Sequence, residues 1–320
     1  MVAVGYTLMG EQSGPKELVD YAIRAEDAGF DQLVASDHYY PWLDAQGHSP
    51  YAWSVLGAVA QATSRVELMS FVTCPTRRYH PAVVAQKAAT VGLLSDGRFT
   101  LGLGAGENLN EHVVGGWPHV QQRHEMLEEA LQIIRPLLDG QTISYTGDYF
   151  EVPEAYLWDR PEQRVPMAVA ASGPSSCDLA AEYADGLIAT EPDEKLLRVF
   201  DERGGAGKPR YGQVMICYGP DEDECRKIAY DQFRWFGLGW PVNANLPDPD
   251  AFASATRQTH VEDVAQGIPC GPDPEAHVAA FKRYVDAGFT HVAVVQIGGP
   301  TQPLFLDWAR DEFLPRLREL

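Results

Sequence analysis

The chain has 320 residues, 45% of them hydrophobic and 22% charged, the balance of a globular protein with enough apolar mass for a large core. A formal net charge of −20 and a pI near 4.7 repel a phosphate backbone and an anionic bilayer alike, so neither nucleic acid nor a membrane is an expected partner. Apolar runs stay short of the roughly 20 residues a bilayer span needs, and no secretory pattern opens the chain.

A cytoplasmic protein is therefore expected. The cysteines (Cys74, Cys177, Cys217, Cys225, Cys270) are scattered without a CxxC pair, which argues against a disulfide framework or a structural zinc site.

From one end to the other, short β-rich apolar runs alternate with longer amphipathic stretches, the sequence form of repeated βα units. Strands are predicted at 2–9, 32–36, 66–73, 99–104, 167–171, 186–190, 213–218 and 291–297. Helices are predicted near 16–28, 50–62, 81–94, 119–138, 175–184, 222–236, 274–287 and 303–319. EDAGF at 26–30 and VDAGF at 285–289 each end a helix on glycine just before a strand, where a positive φ costs little. Eight such units over this length point to an α/β chain folded as one (β/α)8 barrel domain spanning 1–320, rather than an open doubly wound sheet.

Two stretches break the rhythm. Residues 141–158 alternate apolar and polar around Thr146-Gly147-Asp148 and read as a surface hairpin. Residues 237–272, rich in Pro, Asn, Asp and Gly, read as an insertion over the C-terminal face, either a lid or a loop that covers core.

In such a barrel the chemistry gathers where strands end. After the second strand comes SDHYYPW, 36–42. Asp37 and His38 there are expected to face a cleft, because a buried carboxylate without a partner costs several kcal/mol, on an order-of-magnitude scale. His38 exchanges a proton near neutral pH, its ordinary pKa being about 6.5, or else serves as a hydrogen-bonded structural histidine. Asp37 is not its automatic partner, since neighbours on a strand point to opposite faces.

After the fourth strand, GLGAGENLNE at 102–111 combines a glycine-rich turn with Glu107 and Asn110. Glu107 opposite His38 would give two titratable groups in different environments, as separate acid and base roles require. ASGP at 171–174 ends the fifth strand as a tight turn or as a docking point for phosphate or carbonyl. Cys74 precedes a proline and has no histidine at a partner spacing, so a thiol nucleophile is not expected. The nine histidines form neither HxH nor HExxH, and no metal is expected.

Taken together, GEQSGP (10–15), SDHYYPW, CPTRRYHPAVVAQ (74–86), GLGAGENLNE, GDYF (147–150) and ASGP resemble the luciferase-like superfamily, and within it the deazaflavin enzymes that include coenzyme F420-dependent glucose-6-phosphate and alcohol dehydrogenases. The resemblance implies coenzyme F420 and hydride transfer at C5 of its ring. His38 would take the substrate hydroxyl proton, Trp42 would steady the developing charge, and Glu107 would donate a proton near the coenzyme. Asp37, Phe71, Val72, Cys74, Gly106, Glu107, Asn110, Ala171, Ser172 and Gly173 match coenzyme-holding positions, with Phe71-Val72 a non-proline cis peptide.

The substrate side falls to Glu11, Trp42, Thr190, Asp193 and Ser254. At three positions where sugar-phosphate enzymes place cations, this chain has Asp193, Ser254 and Gly267. An uncharged alcohol is therefore expected, or a carbonyl or activated alkene reduced in the opposite direction. An FMN-dependent monooxygenase and a non-catalytic deazaflavin-binding protein are the alternatives. Relatives of this kind are commonly dimers, so a homodimer is expected.

Overall fold

The computed structural model describes residues 2–320. Strands run in chain order as β1 (Ala3–Leu8), β2 (Gln32–Ala35), β3 (Glu67–Ser70), β4 (Phe99–Leu103), β5 (Ile143–Thr146), β6 (Glu151–Ala155), β7 (Met167–Ala170), β8 (Gly186–Ile188), β9 (Arg210–Tyr218), β10 (Cys270–Gly271) and β11 (His291–Gln296). β1–β4, β7–β9 and β11 pair in parallel, each with the next. Two pairings close the ring: Leu187 and Ile188 of β8 lie beside Arg210 and Tyr211 of β9, and β11 pairs with β1 from Ala3↔His291 to Tyr6↔Val294. The expected (β/α)8 barrel is what forms.

Its interior is filled by Val34, Met69, Phe71, Ala168, Ile188, Tyr211 and Ala293. A larger apolar layer joins the outer strand faces to the helices. Four of those helices, Pro15–Ala28, Pro81–Leu94, Pro174–Tyr183 and Pro274–Ala287, start on proline, whose missing N–H is no loss in a first turn. The two DAGF joints close on Gly29 (φ 100°) and Gly288 (φ 98°) in the left-handed region, as expected.

Several boundaries differ from expectation. β2 ends at Ala35 and β8 at Ile188, because Ser36 and Thr190 already belong to the mouth. The terminal helix is broken into Gln302–Trp308, a wide turn Ala309–Phe313 and Leu314–Leu317, since Pro315 has no N–H to continue the ladder. β5 and β6 form the antiparallel hairpin. Residues 237–272 are not irregular: they hold the helices Trp240–Asn243, Pro249–Ala255 and Val261–Gly267, and β10 lies along the end of β9. Among the described residues no helix is long and apolar enough to cross a membrane.

Candidate active site

Four consecutive strand ends, those of β1 to β4, deliver the charged residues. β1 leads to Glu11, which is 1% exposed; its Oε2 accepts from Ser36 Oγ at 2.8 Å. Its Oε1 stands 2.5 Å from His38 Nδ1. On the other side of the ring, His38 Nε2 faces Glu107 Oε2 at 3.6 Å. The histidine is thus held between two carboxylates.

Burial opposes a charge on His38, but Glu11 and then Glu107 outweigh it and lift the imidazole to about 9. Burial would also raise Glu11, yet the His38 charge and the His38 and Ser36 hydrogen bonds bring it below the ordinary carboxylate range. Glu107 goes the other way: burial, with Glu11 and Glu111 nearby, raises it despite His38. The proton is therefore favoured on His38, with Glu11 ionised beside it.

Asp37 does not face the cleft. It is 2% exposed, and its partners explain how a buried carboxylate is tolerated there. Oδ2 accepts from Trp53 Nε1 (3.1 Å) and Thr73 Oγ1 (2.8 Å), Oδ1 accepts from the Tyr79 hydroxyl (3.0 Å), and Arg78 stands beside it. Nearby, Lys87 lies 3.3 Å from the Tyr79 ring centre, and burial brings it down to about 8.

Several of the positions expected to hold the coenzyme are closely packed. The Phe71-Val72 bond is cis. A Cβ on Gly104 would sit 2.8 Å from Val72 Cγ2, and one on Gly106, whose φ is 86°, would sit 2.5 Å from Cys74 Sγ. The Cys74 thiol is pushed well up by burial and by Glu111, consistent with a wall rather than a nucleophile. Asn110 Oδ1 accepts from the N–H groups of Tyr39 (2.8 Å) and Tyr40 (3.4 Å), while its Nδ2 donates to Glu107 Oε2 at 3.2 Å. At the end of β7, Ala171 N donates to Ile188 O, and the N–H groups of Ser172 and Gly173 donate to Ser176 Oγ at 3.1 and 3.3 Å.

Trp42 lies edge-on to His38, ring centres 5.3 Å apart. It stacks on Trp235 at 4.1 Å and meets Phe252 at 5.1 Å, so the turn leading into the insertion and the insertion itself supply an apolar wall. The other substrate-side candidates are dispersed. Thr190 and Ser254 are exposed, Gly267 ends a short helix, and Asp193 caps the helix Glu194–Phe200 by accepting from Lys195 N and Leu196 N.

Sequence reasoning missed Arg78, Glu111, Trp235 and Phe252. A signal for Arg78 existed: a cation in CPTRRYHP follows the strand beside Asp37, which required a partner. Nothing local marks the other three.

A family model described as luciferase-like monooxygenase matches residues 2–291. The chain is 39% identical to an F420-dependent glucose-6-phosphate dehydrogenase of Microbacterium testaceum, covering 98% of this chain and 97% of the relative. It is 36% identical to one of Amycolatopsis mediterranei, covering all of both. Among solved structures, an F420-dependent secondary alcohol dehydrogenase in complex with an F420-acetone adduct superposes with a TM-score of 0.91 at 29% identity, covering 99% of each chain.

Proposed function

The chain belongs to the luciferase-like monooxygenase family, among its coenzyme F420-dependent oxidoreductases, and on that premise we propose that it moves hydride between F420 and an uncharged alcohol or the matching carbonyl. His38 and Glu107 share the proton that accompanies the hydride. The observation that carries this reading is the placement of His38 between Glu11 and Glu107 at the barrel mouth.

The residues present fit the coenzyme. Gly104 and Gly106 leave a surface against Val72 and Cys74 that any Cβ would fill. When bound, F420 supplies a hydride acceptor at C5 of its ring. In the free protein His38 holds a proton at Nε2. Passing it to Glu107 Oε2 leaves a neutral imidazole able to take a hydroxyl proton and a protonated carboxyl able to give one. The Glu11 carboxylate, 2.5 Å from Nδ1, favours a proton on that nitrogen. In the carbonyl direction His38 begins charged and acts as the acid.

An uncharged substrate follows from the cations that are missing. None of Asp193, Ser254 and Gly267 is basic, and the Arg78 guanidinium is committed to Asp37 and Glu111. A sugar-phosphate dianion would meet Asp193 instead of a partner.

Bleaching of oxidised F420 against a panel of secondary alcohols and sugar phosphates tests this. Turnover is expected with alcohols and, with glucose 6-phosphate, about a hundredfold less, the loss of two or more charge-assisted bonds. Comparable turnover with glucose 6-phosphate overturns the substrate assignment, and oxygen uptake with reduced FMN in its place overturns the reaction. We also propose a homodimer, on the exposure of Val83, Tyr156 and Trp158, the last at 88%; equilibrium sedimentation decides it.

A further inference from the structure

Arg78 is 8% exposed at its side chain. Its simplest role would be to neutralise Asp37, but the contacts point elsewhere. The Asp37 carboxylate already accepts from Trp53, Thr73 and Tyr79, and Arg78 Nη1 approaches it only to 3.5 Å. The short bonds go to two other places. Nη2 donates to the backbone carbonyl of Asp37 at 2.6 Å, the peptide that joins Asp37 to His38. Nε donates to Glu111 Oε1 at 2.8 Å, and the Arg78 backbone N–H to Glu111 Oε2 at 3.0 Å.

Glu111 closes the helical turn Asn108–Glu111, for which Glu107 is the N-cap residue. The guanidinium therefore spans the segment that carries His38 and the segment that carries Glu107. Asn110 ties the same two segments on the outer side, through Tyr39 N and Glu107 Oε2. We propose that Arg78 is a positioning residue that sets the separation between His38 and Glu107, and so the ease with which the two exchange a proton. This rests on the proton-sharing role proposed for the pair.

A planar fork reaches both anchors at once; a lysine ammonium offers a single point of charge and holds one. The charged groups that face His38 are Glu11 from β1, Arg78 from β3 and Glu107 from β4, with Trp42 and its stack apolar on the remaining side.

The effect of Glu107 on the His38 titration is a ruler for their distance and needs no turnover. In histidine-labelled protein, with the His38 signal assigned by its loss in His38→Gln, Glu107→Gln is expected to lower the His38 midpoint by about one pH unit. In an Arg78→Lys background that difference is expected to shrink by about half or more. A paired variant, Arg78→Met with Glu111→Gln, removes one charge of each sign and guards against misfolding of the single change. Either variant is expected to lower kcat tenfold to a hundredfold, on the order of the loss for a misplaced group, with KM held within about threefold.

The full Glu107-dependent difference persisting in a folded Arg78 variant would overturn the proposal, as would kcat within about twofold of the parent. So would collapse of both variants, which would make Arg78 a stability residue. Failure of the parent to oxidise any alcohol would strike the proposed reaction, while the titration ruler would still decide the role of Arg78.

Discussion

The two sides of the barrel mouth are built from different materials. On the side of β1 to β4, buried charges are paired almost atom for atom: Glu11 with His38, Asp37 with Trp53, Thr73 and Tyr79, Arg78 with Glu111. On the side of β8, β9 and the insertion, polar candidates are exposed and the buried contacts are aromatic, with Trp42 against Trp235 and Phe252. The contrast separates two jobs. Proton transfer needs atoms held to fractions of an ångström in a dry setting, while choice of substrate needs shape and net charge. A perturbation on the first side is expected to change rate, and one on the second to change preference.

The sharpest way to break that division is His38→Gln. If the first side carries the proton, kcat falls on the order of 10² to 10⁴-fold while F420 binding, followed by fluorescence titration, stays within a few-fold of the parent. Near-parental turnover with tight coenzyme binding would remove His38 from the chemistry.

A second test uses pH. His38 is raised in the folded protein to about 9 from an ordinary value of 6.5, so its contribution to stability is fully present below about 6.5 and is lost as pH rises through 9. Denaturant unfolding is expected to show a loss on the order of 2 to 3 kcal/mol across that window, flattened in His38→Gln. The same ionisation bears on the free enzyme: the form that passes the His38 proton to Glu107 and the form that protonates a carbonyl both carry that proton, so kcat/KM is expected to fall beyond pH 9 in either direction. Glu11→Gln removes the larger charge partner and is expected to move both limbs to lower pH. Limbs that stay in place would break the Glu11–His38 link.

These tests fall on residues the sequence made visible, and the reason is physical. An apolar run that ends in SDH or GAGEN must either turn its polar groups to a mouth or bury them against partners, and His38 and Glu107 take the first course, so they are legible locally, as are the eight strands. What was hidden depends on closure. Arg78 and Glu111 lie 33 positions apart and meet only because β3 and β4 are neighbours. Asp37 reads as cleft-facing until Trp53, Thr73, Tyr79 and Arg78 are brought around it. The insertion's helices are short, with Pro249–Ala255 and Val261–Gly267 at 7 residues each, too few turns for a 3.6-residue period to register. Trp235 and Phe252 gain their role only by folding onto Trp42.

Gly106→Ala probes the proposed coenzyme surface. The glycine has a φ of 86°, and an added Cβ would press on Cys74 Sγ at 2.5 Å, so the turn must shift where the ring is proposed to lie. Affinity for F420 is expected to weaken about tenfold, the equivalent of ~1.4 kcal/mol, with alcohol preference unchanged. A change of preference without loss of affinity would place Gly106 on the substrate side instead.

The smallest effect belongs to Asp193. Asp193→Asn keeps a side-chain oxygen for Lys195 N and Leu196 N, and asparagine caps a helix about as well as aspartate, so stability is expected to hold within about 0.5 kcal/mol. What changes is one negative charge at an exposed position. If the second side selects by net charge, kcat/KM for glucose 6-phosphate rises a few-fold at low ionic strength, and the gain fades toward 1 M salt as the screening length falls to about 3 Å. Alcohol oxidation is expected to stay level in the same titration, because no ion meets that wall. A rise in both activities, or one indifferent to salt, would mean that Asp193 acts through the helix it caps and not through its charge.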